Sequence, residues 1–194
     1  MTLFIAKLIW LLGMATACGI RYPFLRRARR SKEVRRVEHT REKMLVGAQA
    51  TGQLLLPAIY VLTDQPAFAG YPFQPFLAYV GCAFLLLGLY LFYRAHADLG
   101  RSWSATLVIR DRHELVTNGI YRFVRHPMYS AFLAWGLAQT LLLPNWVAGP
   151  AGLVGFAILF FGRVGREEQM MIEAFGDQYR DYMARTSRII PGIY

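Results

Sequence analysis

The stretch "RHPMYSAFLAWGLAQTLLLPNWVAGPAGLVGFAILFFGRVGREE", residues 125–168, is two apolar runs joined at Pro144-Asn145 and closed at both ends by charge. The turn residues between runs of this kind predict a tight helical hairpin, over residues 129–143 and 147–162. An arginine and a histidine stand at one mouth of the hairpin, and an arginine and two glutamates at the other. Pro127 disfavours helix at His126 and suits the first turn of the helix that follows. Arg125 and His126 therefore sit in a helix entry, where free N–H groups and the positive dipole end favour an anion.

Working outward, three further apolar runs precede the hairpin, at residues 3–20, 44–62 and 76–93. A bilayer core of about 30 Å needs about 20 helical residues. The last two runs are short for this and need tilt or extension by their flanks. Pro57 predicts a kink in the second. The first is no cleavable signal, because its basic residues follow rather than precede the apolar run.

Charge fixes the orientation. The chain of 194 residues carries a net charge of +10, with 55% hydrophobic residues and a mean hydropathy of +0.29. Of its 22 Lys and Arg, ten lie in residues 21–43, six in 94–125 and five in 163–188; Lys7 is the remaining one. The connections at 63–75 and 144–150 hold none. Five spans with the N-terminus outside put every basic segment on the cytoplasmic side. This predicts an all-α fold, an integral membrane protein with about five transmembrane helices. Residues 1–194 form one membrane domain: 1–93 give three N-terminal spans with a basic arm at 21–43, and 94–194 give the hairpin 129–162 and a C-terminal helix. Basic residues segregated from apolar runs indicate a membrane surface and not nucleic acid. The arm is read as a surface helix or arm resting on anionic lipid headgroups.

The two cysteines, Cys18 and Cys82, lie in apolar runs and read as small buried hydrophobes. No dinucleotide, phosphate-loop or metal motif is present. His39 and His96 read as surface or interfacial groups, whereas His113 and His126 flank the Asn118-Gly119 turn and can converge. Arg163 and Glu167 are four apart and share a helical face where the fifth span leaves the membrane. They are equally an i,i+4 ion pair or a cavity-facing arginine and carboxylate. Met171, Phe175, Tyr179 and Tyr182 or Met183 recur at helical spacing, a stripe that reads as packing or interfacial surface.

The runs "HELVTNGIYRFVRHPMY" (113–129) and "FFGRVGREEQMMIEAFGDQYRDYM" (160–183) resemble the isoprenylcysteine carboxyl methyltransferase family. The matching positions are Leu115-Val116-Thr117, Gly119, Tyr121, Arg125-His126-Pro127, Tyr129, Arg163, Glu167-Glu168, Phe175-Gly176 and Tyr179. One family glycine is Ala131 here. The resemblance implies cytoplasmic cofactor-binding segments for S-adenosyl-L-methionine, held at His113, Glu114, Leu115, Val116, Gly119, Tyr121, Arg125, His126, Pro127, Tyr129, Glu167 and Glu168. It implies Arg163 and Glu167 as catalytic residues, with Arg163 facing the substrate, and no metal. It also implies carboxyl O-methylation of an isoprenylcysteine-like or other lipophilic carboxylate that enters from the bilayer. Three alternatives stay open on the residues alone. A phospholipid-type amine acceptor needs a base, for which Glu168 or His126 would serve. A sterol-type reductase would bind NADPH. A non-catalytic membrane protein would use the same polar residues as lipid anchors.

Overall fold

The computed structural model describes residues 1–28, 33–36, 39–100, 108–110 and 115–193. Seven α-helices follow in chain order: α1 (Leu3–Ala28), α2 (His39–Ala50), α3 (Leu56–Thr63), α4 (Pro75–Leu99), α5 (Pro127–Leu142), α6 (Ala151–Phe175) and α7 (Asp177–Arg185). A five-residue π-helical turn, Thr51–Leu55, runs α2 into α3 as one segment. Pro57, in the first turn of α3, lacks the N–H that a continuous ladder would need. The expected irregularity in the second span is therefore a π turn together with the proline.

The segments Leu3–Arg27, Thr40–Thr63 and Pro75–Leu99 are long and apolar enough to cross a membrane. They match the first three expected spans, the first lengthened at its C-terminal end and the other two at both ends. Helix α5 has 16 residues, about 24 Å at 1.5 Å per residue, which is less than a bilayer core. Helix α6 has 25 residues, but its last turns carry the charged Arg163–Glu168 stretch. The hairpin turns where expected. Asn145 Oδ1 accepts from the amides of Val147 (3.0 Å) and Ala148 (2.9 Å), and its Nδ2 donates to the Pro66 carbonyl (2.9 Å).

One departure from an all-helical chain is a small antiparallel ribbon. Here β1 (Glu33–Arg36) pairs with β2 (Val108–Arg110). The centre of the basic arm thus pairs through its backbone with the segment after α4.

The main core joins α1, α4 and α5 through Trp10, Leu85, Phe92, Trp135 and Leu142, all buried. A second cluster, Tyr129, Phe156, Leu159, Phe160 and Val164, joins α5 to α6 and takes in Ile189 from the C-terminal tail. Ala131 is fully buried and its carbonyl lies against Gly88 of α4, so the family glycine is replaced without opening the α4–α5 contact. In the π turn, Gly52 approaches α6 so closely that an added Cβ would sit 2.1 Å from the Ala151 carbonyl.

His96 is not interfacial: it is fully buried. Its ring lies 5.0 Å from Phe24 and 4.4 Å from Phe92, with Nδ1 2.7 Å from the Phe92 carbonyl. The first helix runs on past residue 20 and covers it. Cys18 is exposed and Cys82 half-buried, because the first helix keeps one side outside the core. His39 contributes the first residue of α2; its side chain lies outside the described residues.

Candidate active site

Three short stretches converge at the α5 entry. Gly119 has φ +58°, and an added Cβ would lie 2.3 Å from Asp98 Oδ2. Only glycine fits a left-handed residue so close to another group. The Asp98 carboxylate accepts from the Ile120 amide at 2.8 Å, holding the turn that ends α4's partner segment. Tyr121 is thereby placed with its hydroxyl on the Ala95 carbonyl at 3.2 Å. The tail then pairs with this entry: Arg125 N donates to Ser187 O and His126 N to Arg188 O, both at 2.9 Å. Ser130 Oγ donates to the Ile189 carbonyl at 2.6 Å.

A cavity of about 330 Å³ opens beneath this seam, within the range of small-molecule sites. Its walls include Leu115, Val116, Tyr121, Arg125, His126, Pro127, Tyr129, Arg163 and Glu167. Nine of the residues expected at a site are thus brought together. Met171, Tyr179 and Tyr182 also line it and Phe175 does not, so part of the stripe expected to be packing or interfacial surface faces this cavity. The break that permits this is at Gly176, φ +55°, between α6 and α7. Tyr182 then donates to the Tyr121 carbonyl at 2.6 Å.

Four expected residues are not among these nine. His113 and Glu114 lie outside the described residues, so the convergence of His113 with His126 does too. Gly119 is used for the turn and is not in the wall. Glu168 is buried behind the wall. It accepts from Arg125 Nε (2.7 Å) and Arg188 Nη2 (2.8 Å), and its Oε1 lies 3.3 Å from His126 Nε2. Burial alone would raise its carboxyl. Hydrogen bonds from His126, Arg188 and Arg125 outweigh that and hold it far below the usual carboxylate range. A carboxylate so held is a poor proton acceptor, and its work here is to fix Arg125 and His126.

The other glutamate faces inward. Glu167 Oε2 accepts from the Tyr129 hydroxyl at 2.9 Å and lies 3.4 Å from Arg163 Nε. Arg163, with its side chain only 12% exposed, also places Nη1 2.8 Å from Glu42 Oε1 on α2. Its Nε–H has no aligned acceptor among the described residues. Glu42, Arg21 and Arg188 were not singled out by sequence reading. Arg21 lines the cavity from α1, and both it and Glu42 belong to the arm read as surface. Their only sequence signal was a charge beside an apolar run. Among the described residues, no group of His, Cys, Asp and Glu could hold a metal ion.

Comparison with known proteins agrees with this arrangement. Residues 80–173 match the isoprenylcysteine carboxyl methyltransferase (ICMT) family model. The chain is 29% identical over 160 residues to a probable protein-S-isoprenylcysteine O-methyltransferase of Oryza sativa subsp. indica, covering 79% of this chain and 82% of that one. It is 28% identical over 158 residues to protein-S-isoprenylcysteine O-methyltransferase B of Arabidopsis thaliana, 78% of each chain. It is 36% identical over 110 residues to the Schizosaccharomyces pombe enzyme of the same name, 56% of this chain and 47% of that one. The solved structure of a eukaryotic intramembrane Ras methyltransferase ICMT superposes with a TM-score of 0.55 at 23% identity, over 81% of this chain and 55% of that chain. At that identity the superposition speaks for the fold, and this chain spans about half of the solved one. The motifs around one cavity, the matched family model and the shared fold agree: the chain is similar to the isoprenylcysteine carboxyl methyltransferases and is a membrane methyltransferase.

Proposed function

We propose that the cavity takes S-adenosyl-L-methionine beside a lipophilic carboxylate, and that the reaction is carboxyl O-methylation. The observation that carries this is Arg163: a nearly buried guanidinium in the cavity wall, braced by Glu42 and Glu167. A fixed guanidinium fork matches a carboxylate better than any other side chain does.

The donor set of the wall fits the cofactor. Glu167 supplies a carboxylate for an ammonium. His126, in the entry of α5, supplies a polar edge for a carboxylate. Leu115, Val116, Tyr121 and Tyr129 supply apolar and aromatic surface for a purine. Arg125 is already committed to Glu168 and to the Thr186 carbonyl, so its part is to hold the entry rigid. When bound, the cofactor supplies an electrophilic methyl group on a sulfonium. The protein's residues do the remaining work. Arg163 orients the acceptor, Tyr129 and Glu167 keep Arg163 in place, and the apolar walls exclude water. An acceptor carboxylate is ionised at pH 7, carboxyl groups having pKa values near 4, so no general base is required. An amine acceptor requires one, and Glu168 is already engaged by Arg125, Arg188 and His126.

The lipid part of the acceptor enters sideways from the bilayer, past exposed apolar residues such as Leu54 and Leu55 of the second segment. The cofactor enters from the cytoplasm. The Lys and Arg distribution supports an outside N-terminus and a cytoplasmic site and C-terminus. The prenylated substrates of the named relatives are the first acceptors to try. Methyl transfer from labelled cofactor to an S-farnesylcysteine, followed by alkali, tests the reaction. An ester releases its methyl group as volatile methanol. Alkali-stable label on a lipid amine would replace this reading with N-methylation.

A further inference from the structure

The stretch "RTSRIIPG" (185–192) closes α7 and lies beyond the residues that the family model matches. Its backbone is extended at Thr186 (φ −130°, ψ 142°), and Ser187 makes a parallel bridge with Val124. The tail is thereby laid along the entry to α5. The amides of Arg125 and His126 donate to the carbonyls of Ser187 and Arg188, and Ser130 Oγ donates to the next carbonyl, that of Ile189. Ile189 is itself buried in the α5–α6 core. These contacts bring the Arg188 side chain to Glu168.

There it makes a side-on fork. Arg188 Nε lies 3.1 Å from Glu168 Oε1, and Nη2 lies 2.8 Å from Oε2. Arg125 Nε, at 2.7 Å, and His126 Nε2, at 3.3 Å, both meet Oε1. The terminal torsion of a glutamate side chain is broad. Contacts to one oxygen fix its distance and leave the carboxylate plane free to turn, whereas a planar fork on both oxygens fixes the plane. Arg125 and His126 line the cavity and Arg188 does not. Arg188 thus holds the wall from behind by two routes. Its carbonyl takes the His126 amide, and its guanidinium sets the carboxylate on which the Arg125 and His126 side chains rest. The Arg188 side chain is 30% exposed, and Glu168 keeps Arg125 without it. A part-exposed pair contributes little to stability, so the fork matters for the orientation of the wall more than for the stability of the fold.

The geometry points to Arg188 as a positioning residue for the methyl donor: acting through Glu168, it sets Arg125 and His126 at the α5 entry, so that the C-terminal tail belongs to the cofactor site without touching the cofactor. This rests on the methyl-donor reading of the cavity given above.

The test is calorimetric titration of the full chain in detergent with S-adenosylhomocysteine, reading both the Kd and the fraction of competent sites. Arg188→Met should raise the Kd by at least about tenfold, as for one charge-assisted hydrogen bond, with the site fraction of the wild type. Arg188→Lys keeps the charge but not the fork, and should raise the Kd by about threefold or more; it carries the test if the methionine variant does not fold. Glu168→Gln should raise the Kd to a similar level. Adding Arg188→Met to it should change the Kd by less than about twofold, because both substitutions act on one carboxylate. A wild-type Kd in either Arg188 variant, or fewer competent sites at the wild-type Kd, overturns the positioning role and leaves Arg188 a staple of the fold. An undiminished effect of Arg188→Met in the Glu168→Gln background also overturns it, since the route through Glu168 would then be absent. A folded wild type that does not bind S-adenosylhomocysteine overturns the reading of the cavity, and this proposal with it.

Discussion

Replacing Arg163 with lysine separates orientation from charge. The Arg163, Glu42 and Glu167 side chains are 12%, 8% and 27% exposed, so the arginine bridges two largely dehydrated carboxylates. Arg163→Ala would strip both of their partner, at a cost of about 3–5 kcal/mol for a broken buried pair, and would mix unfolding with lost catalysis. Arg163→Lys keeps the positive charge but loses the planar fork. An ammonium on that stem cannot face Glu42, Glu167 and an acceptor carboxylate together. The loss is about one charge-assisted hydrogen bond to the acceptor, about 1.5–3 kcal/mol, or roughly tenfold to a hundredfold in kcat. Turnover is read as alkali-labile label on the acceptor, with S-adenosylhomocysteine affinity measured by calorimetry on the same preparation. Affinity should stay within a few-fold while kcat falls. A lysine variant with kcat within twofold of wild type would refute the orienting role.

Other expectations follow from the same geometry. Glu167→Gln should weaken S-adenosylhomocysteine binding by tenfold or more, and Tyr129→Phe, which removes only the hydroxyl contact to Glu167, by about fivefold, as for one hydrogen bond; unaltered dissociation constants would remove both from the cofactor site. Glu168→Gln should destabilise the fold by about 3–5 kcal/mol, leaving the largely buried Arg125 and the part-exposed Arg188 against a neutral group. Because the Glu168 carboxyl is depressed in the folded state, its contribution is complete above the unfolded value of about 4.3. It is lost as pH falls from there toward the folded value. The stability gap between wild type and Glu168→Gln should therefore be flat at neutral pH and narrow below about pH 4; a gap that widens in acid contradicts the assignment. Gly119→Ala meets both a left-handed φ and the Asp98 carboxylate, and should lower the unfolding temperature and the cofactor affinity together, by about 1–3 kcal/mol in stability.

The apolar runs, their order and the hairpin turn were legible because each is a local property of composition and punctuation. So was the Arg163–Glu167 pair, whose i,i+4 spacing is fixed by the helix itself. Glu42 and Arg21 were not: they sit in a run of ten Lys and Arg residues that reads as one solvated arm until α2 is laid against α6. Arg188 joins Glu168 from 20 residues away through backbone pairing of the tail, which no spacing rule foretells. His96 read as interfacial because it ends an apolar run, and Phe24 from another helix buries it. The role of Glu168 reversed for a similar reason, since its partners Arg125, His126 and Arg188 come from distant segments.

The most direct test of a methyl-donor cavity is calorimetric titration of the detergent-purified chain with S-adenosylhomocysteine and, separately, with NADPH. Saturable binding of S-adenosylhomocysteine alone, lost in His126→Ala and weakened in Glu167→Gln, is the predicted result. Binding of NADPH in its place, or of neither ligand to protein shown to be folded, would contradict the assignment of this cavity to methyl transfer.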